Sequence, residues 1–200
     1  MSVVSKCYTS ILNNRLYNWL EENDKLVESQ VGFRKGYCAT DHIFSLYAII
    51  QTYLSKPSGR FYAAFVDLRK AYDSATHSTL FRALLRAGTS SSFIKAIMVK
   101  YKNTAACVRA NNDLTDFDCP CGLKQGCVAS PTLFSIIINE IAIHVQEGGK
   151  HGMQLLPGLV ELLILLFADD VILMSVSQAG LQKQLDCLQE ACEERNLKVN

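Results

Sequence analysis

Leu162 to Ser175, reading LLILLFADDVILMS, constrains this chain more than any other stretch. Six apolar residues lead into Ala168-Asp169-Asp170, and the apolar run Val171 to Met174 leaves it. Short apolar runs broken by turn residues read as two buried strands joined by a tight turn. Two carboxylates then sit where the chain is most hydrophobic on both sides. Burying one unpaired carboxylate costs several kcal/mol, on the order of the net stability of a domain, so a fold keeps such a pair only beside a cation or in contact with solvent. Two readings follow: the pair holds a metal, or it caps an exposed hairpin tip, where Asp is a common turn residue.

Two hundred residues suit one domain, or one and a half, with a sizeable core. A hydrophobic fraction of 49% and a charged fraction of 20% exclude a chain dominated by disorder. The formal net charge of +1 gives no bulk attraction for nucleic acid, so any such partner needs a local basic patch. Met1 to Val4 lead straight into an amphipathic pattern rather than a signal peptide, so the eight cysteines read as reduced, buried structural thiols of an intracellular protein. Cys119-Pro120-Cys121 is too tightly spaced for a zinc knuckle, and His42, His77, His144 and His151 show no ligand spacing. The apolar stretch Leu159 to Phe167 is broken by Glu161 and is too short to span a bilayer, so no membrane is expected.

Residues 5–22 carry Tyr8, Ile11, Leu12, Leu16, Trp19 and Leu20 at helical spacing, with Asn23 as the stop. Glu28 to Gly36 is a loop whose two glycines bracket an aromatic and two bases, either a solvated turn or a phosphate-binding backbone. Thr40 or Asp41 caps a second helix with Ile43, Phe44, Tyr47, Ile50 and Leu54 on one stripe, and Pro57-Ser58-Gly59 is the best subdomain boundary. Arg60 to Leu68 is a strand closed by Asp67. Helices follow over Thr76–Ala87, with Leu80, Phe81, Leu84 and Leu85 inward and Gly88 as C-cap, and over Ser90–Tyr101, with Met98 on the apolar face. Ala105–Ala110 and Thr115–Cys121 pair as a hairpin around Asn111-Asn112-Asp113. Gly122 to Gly126 is a second glycine-bracketed loop, Ser130-Pro131 opens a helix that stops near Gly148-Gly149, and Ser177 caps the last helix.

Asp67 lies more than a hundred residues before Asp169 and Asp170, yet each closes an apolar strand. Neighbouring strands run about 4.8 Å apart, so if these two pair, three carboxylates converge, with Asp67 and Asp169 about 4–6 Å apart on adjacent strands. Such a cluster of hard oxygens suits Mg²⁺, and two ions about 3.5–4 Å apart stabilise the attacking and leaving oxygens of a phosphoryl transfer. A P-loop nucleotidase would need a Gly-x-x-x-x-Gly-Lys-Ser/Thr loop, which the chain lacks.

Phe65 to Asp73 (FVDLRKAYD), Gly122 to Cys127 (GLKQGC) with Ser130-Pro131-x-Leu133-Phe134, and Phe167 to Asp170 (FADD) resemble, in this order, three core motifs of reverse transcriptases. Gln30 to Gly36 followed by Thr40-Asp41-His42-Ile43 is similar to the preceding segment of the non-LTR, LINE-type branch. The resemblance covers essentially the whole chain. It implies an α+β right-hand polymerase: part of the fingers over residues 1–57, mostly helical, and over 58–200 a palm with an antiparallel sheet and helices packed on one face, truncated before the thumb. It implies RNA-directed DNA synthesis, in which a primer 3′-hydroxyl attacks the α-phosphate of a dNTP opposite an RNA template. Asp67 and Asp169 would hold two Mg²⁺ ions, or Mn²⁺ as substitute, with Asp170 and the Leu68 carbonyl helping. Tyr72 would be the steric gate, Gln125 and Gly126 would line the nucleotide and template pocket, and Arg34, Lys35 and Lys124 would contact template or phosphate.

Departures from the family pattern are expected at both ends. The finger arginine that binds the triphosphate lies upstream of the first helix, Asn196 to Asn200 resembles the start of the next palm motif without its lysine, and primer grip, thumb and endonuclease are not matched. Phe167 stands for the commoner tyrosine, as is usual in this branch. The competing expectation is a catalytically inactive relic, or a co-opted nucleic-acid-binding module.

Overall fold

The computed structural model describes residues 2–102, 105–110, 113–148, 152–153 and 162–200. The helix that opens the chain, α1 (Val3–Glu22), is capped by the Ser2 hydroxyl, which accepts from the Ser5 N–H, and ends at Asn23 as its sequence requires. α2 (Ala39–Leu54) starts earlier than expected, because Cys38 rather than Thr40 or Asp41 is the N-cap. Asp41 sits at the third helical position and accepts the Cys38 N–H at 2.7 Å. A carboxylate there satisfies one of the helix's free amides and favours the positive end of its dipole.

β1 (Tyr62–Asp67) is followed by the short α3 (Ala71–Ser74), entered through Lys70 in the left-handed region at φ +47°. α4 (His77–Arg86) and α5 (Ser91–Tyr101) are capped by Thr76 and Ser90, and Gly88 at φ +92° turns the chain between them. β2 (Ala105–Ala110) and β3 (Asp113–Asp118) form a separate antiparallel pair. β3 begins two residues before the expected Thr115, and Asn111-Asn112 lie outside the described residues. α6 (Ser130–Gly148), β4 (Ile164–Phe167), β5 (Asp170–Ser175) and α7 (Gln178–Glu194) complete the chain, Ser177 capping α7 through the Gly180 N–H at 3.1 Å. Gly149, Glu161 and His151 lie outside the described residues, and among those described no helix is long and apolar enough to cross a membrane.

The main sheet runs β1-β5-β4, all antiparallel, with β5 in the centre. A central strand is covered on both faces, which is why its sequence is a continuous apolar run rather than an alternation. Strand alternation sends Val66, Ile164, Leu166, Val171 and Leu173 into one cluster with α4, α6 and α7. It sends Ala63, Leu165, Ile172 and Met174 to the other face, where Ile49 of α2 and Met153 cover them. α6 is the core's spine, buried along nearly its whole length from Ser130 to Val145.

Three expectations about what is buried are corrected. On α2 the stripe predicted to face inward is turned to solvent: Ile43 is 66% and Phe44 71% exposed, and Tyr47 and Leu54 are also exposed. Ile49 is the anchor instead, with Leu46 and Tyr53 beside it and His42 on the Leu166 carbonyl, because the stripe one position round the helix is the one laid against the sheet. Leu85 on α4 and Met98 on α5 are exposed as well, at the outer margins of helices that touch the core along a narrow stripe. Of the eight cysteines, all expected to be buried, only Cys127 and Cys192 are. Cys119 and Cys187 are half-buried, Cys187 against the main core, and Cys7, Cys38, Cys107 and Cys121 are exposed.

Candidate active site

Register places the three aspartates at one end of the sheet. Asp67, the last residue of β1, is the cross-strand partner of Asp170, the first of β5, and Phe167 of β4 flanks Asp170 on the other side. Asp169 is not on a strand: with Ala168 it forms the two-residue turn between β4 and β5. The register thus pairs Asp67 with Asp170 across the strands, and Asp169, expected on the strand itself, lies one residue away in the turn. Among the described residues no group of three His, Cys, Asp or Glu side chains is gathered closely enough to hold a metal ion. Asp67 and Asp170 are exposed and Asp169 half-buried, so the expected burial penalty does not arise. Asp67 is nevertheless fixed: Asn200 donates its backbone N–H to the Asp67 carbonyl at 2.9 Å and its side-chain amide to Oδ2 at 3.1 Å. Leu68 is buried, and its backbone bridges to Val199.

The turn itself is held from outside. Ala168 has φ +59°, an uncommon conformation for a residue with a side chain. Residues 29–31 lie against β4 like an added strand: the Leu166 N–H donates to the Ser29 carbonyl at 2.8 Å and the Val31 N–H to the Leu166 carbonyl at 3.1 Å. His42 Nε2 donates to both the Ser29 and Leu166 carbonyls, at 3.0 and 3.1 Å. Two carbonyl partners require that this nitrogen carry the hydrogen. Gly32 then passes so close that a Cβ there would lie 2.3 Å from the Ala168 nitrogen. The Glu28 to Gly36 loop is thus an edge that braces the turn, not a free phosphate cradle.

Tyr72 stands behind this end of the sheet. Its ring stacks on the fully buried Phe134 at 4.4 Å and meets Phe33 edge-on at 6.4 Å. Burial first, and the nearby Asp169 carboxylate second, push its phenol up to about 12, so it stays neutral at physiological pH. The second glycine-bracketed loop is tied to the same segment. The Leu123 N–H donates to the Tyr72 carbonyl and the Gly122 N–H to the Ala75 carbonyl, both at 2.8 Å, and His77 Nε2 donates to the Gly122 carbonyl at 3.1 Å. Gln125 is exposed and donates to Asp73 Oδ1 at 3.3 Å. Gly126, at φ +73°, needs glycine for its backbone and has open space where a Cβ would stand.

Arg34 is a correction. Its side chain is buried at 6% exposure and grips Glu21 at 2.8 and 3.1 Å, with the Val27 and Gln30 carbonyls as further acceptors and Tyr37 beneath the guanidinium at 4.6 Å. A guanidinium so engaged does not reach a template phosphate. Lys35 is exposed, with Nζ over the Tyr17 ring at 5.1 Å, whereas Lys124 turns to the Tyr101 ring at 5.7 Å. Asp67, Asp169, Asp170 and Tyr72 are gathered at the strand end, with Gln125 and Gly126 on the loop tied to Tyr72. Phe33, His42, Asp73 and Asn200 belong to the same framework without having been singled out as site residues. All four lie in segments that carry the family resemblance, which was the signal that could have found them.

A family model described as reverse transcriptase (RNA-dependent DNA polymerase) matches residues 1–200. The chain is 27% identical over 199 residues to the Retrovirus-related Pol polyprotein from type-1 retrotransposable element R2 of Nasonia vitripennis, covering 99% of this chain and 18% of that protein. It is 23% identical over 218 residues to the RNA-directed DNA polymerase from mobile element jockey of Drosophila melanogaster, covering 98% and 21%. The chain therefore spans about a fifth of the length of these curated relatives. The fold is similar to that of telomerase from Candida albicans, solved with a fragment of telomeric RNA, at a TM-score of 0.72 and 12% identity, covering 96% of this chain and 33% of that one.

Proposed function

Because the chain belongs to the reverse transcriptase (RNA-dependent DNA polymerase) family along all of residues 1–200, we propose that it is the fingers-and-palm part of an RNA-directed DNA polymerase, extending a DNA primer with dNTPs on an RNA template. The observation that supports this reading is the register that pairs Asp67, from one motif, with Asp170, from another, at the end of the sheet where Asp169 forms the adjoining turn.

The donor chemistry fits Mg²⁺ or Mn²⁺: the strand end presents carboxylates in contact with solvent, with no thiolate or imidazole among them. Asp67 and Asp169 would hold the ions, with Asp170 and the Leu68 carbonyl assisting. Divalent cations held there would supply charge neutralisation for the triphosphate and activation of the primer hydroxyl. The chain's own residues position the reactants. Asn200 orients the Asp67 carboxylate, and the Ser29–Gly32 edge keeps Asp169 in its turn. Tyr72, neutral and backed by Phe134, forms a rigid wall against which a deoxyribose fits and a 2′-hydroxyl collides. Gly126 lets the backbone approach the nascent base pair, and Gln125, steadied by Asp73, flanks it. Lys35 is the exposed base on the finger side for the template backbone.

The deciding experiment is primer extension on poly(rA)/oligo(dT) with Mg²⁺ or Mn²⁺, comparing the chain with Asp169→Asn. Incorporation that disappears in the variant supports the polymerase reading. A folded chain with no incorporation above the variant supports a relic or a binding module.

A further inference from the structure

Val31 to Arg34 form a tight turn, closed by the Arg34 N–H donating to the Val31 carbonyl at 3.2 Å. Its third residue, Phe33, has φ +64°. A turn with positive φ at that position favours glycine or asparagine. Here the glycine stands one residue earlier, where the close approach of Ala168 leaves no room for a side chain, and a bulky aromatic takes the strained place. Strained residues persist where their surroundings over-determine them, and they collect at functional sites.

The surroundings of Phe33 do that. On one side Gly32 is wedged under the Asp169 turn; on the other, Arg34 is buried and clamped to Glu21 of α1 and to two loop carbonyls. Between them the Phe33 ring is 46% exposed, and its aromatic contact is the edge of Tyr72. Tyr72 cannot retreat from that contact, because its other face is stacked on Phe134.

We propose that Arg34 is a positioning residue, which through the turn backbone holds Phe33 against Tyr72, and that Phe33 is thereby a second wall of the nucleotide pocket that shares in selecting the sugar. The proposal rests on the polymerase reading above. It replaces a direct phosphate contact for Arg34 with an indirect action through its neighbour.

The experiment measures kcat/KM for single additions of dTTP and UTP opposite rA by the chain and by Phe33→Ala and Arg34→Gln, together with the Phe33–Tyr72 ring NOE. The selectivity for dTTP should fall by about tenfold in both variants, the scale of discrimination that one added group in a pocket provides. The fall should come mainly from a lower KM for UTP, and Arg34→Gln should lose the NOE. Should Arg34→Gln fail to fold, Glu21→Gln, which removes the carboxylate but leaves the carbonyl partners, carries the same expectation. Unchanged selectivity in Phe33→Ala, or an intact NOE in a folded Arg34 or Glu21 variant, overturns the proposal. If the unmodified chain adds neither nucleotide, the polymerase reading fails by itself. The ratio of dTTP to UTP affinity, read from Tyr72 ring resonances with and without Phe33→Ala, then decides the inference, equal ratios overturning it.

Discussion

At the scale of single residues, the site depends on two backbone conformations that side chains disfavour, at Phe33 and Ala168, brought together at Gly32. Gly32→Ala would place a methyl carbon 2.3 Å from a backbone nitrogen, which must move for the variant to fold. Overpacking of this kind costs about 1–3 kcal/mol, and a fall of that size in unfolding free energy, measured by urea titration, is expected. The Arg34–Glu21 pair predicts a pH dependence. Arg34's hydrogen bonds hold the Glu21 carboxyl below its usual range. A carboxylate whose pKa is lower folded than unfolded contributes stability that is complete above the unfolded value and is lost as pH falls through the folded one. The chain should therefore lose stability below about pH 4.3, the ordinary glutamate value, more steeply than Glu21→Gln, as read from thermal midpoints across that range.

At the scale of elements, local chemistry decided where most segments begin. Ser177, Thr76 and Ser90 are helix caps because each hydroxyl accepts the free amide three residues on, of Gly180, Thr79 and Phe93. Ser177→Ala should cost about 1 kcal/mol, visible as a lower urea midpoint with an unchanged slope. Which face of a helix is buried was less legible. On α2 the apolar residues form more than one stripe, and only contact with the sheet chose Ile49 over Ile43, Phe44 and Tyr47. Consecutive aspartates posed the same difficulty: the sequence placed both at the hairpin tip, but the two-residue turn decided that Asp170 is the one on the strand, in register with Asp67.

At the scale of the whole molecule, segments distant in sequence are tied by polar contacts. Arg195 after α7 shares Glu140 of α6 with Arg86 of α4, at 3.3 Å each. Asn139 on α6 accepts the Val27 N–H at 2.7 Å and donates to the Lys25 carbonyl at 2.9 Å, fixing the loop that follows α1. Electrostatics at this scale are weak, with a net charge of +1. Binding of a primer–template duplex should consequently be weak at physiological salt and should fall linearly in log–log form as salt rises, because each contacted phosphate releases a counterion. Fluorescence anisotropy between about 50 and 200 mM salt, the range over which that release dominates, would show this; affinity independent of salt would place the contacts away from the phosphates.

The sequence by itself determined the order of the motifs, the helices and the Ser177 cap, Asp67 at the end of its strand, and the glycines whose backbones need them, since each follows from neighbours within a few residues. Tertiary structure alone decided which aspartate meets Asp67, that Arg34 turns to Glu21 rather than outward, and that residues 29–31 brace the β4–β5 turn. Each of these depends on the partner that folding brings alongside. For the aspartates and the brace that partner lies more than a hundred residues away, and for Arg34 it lies on another element, beyond the reach of local spacing.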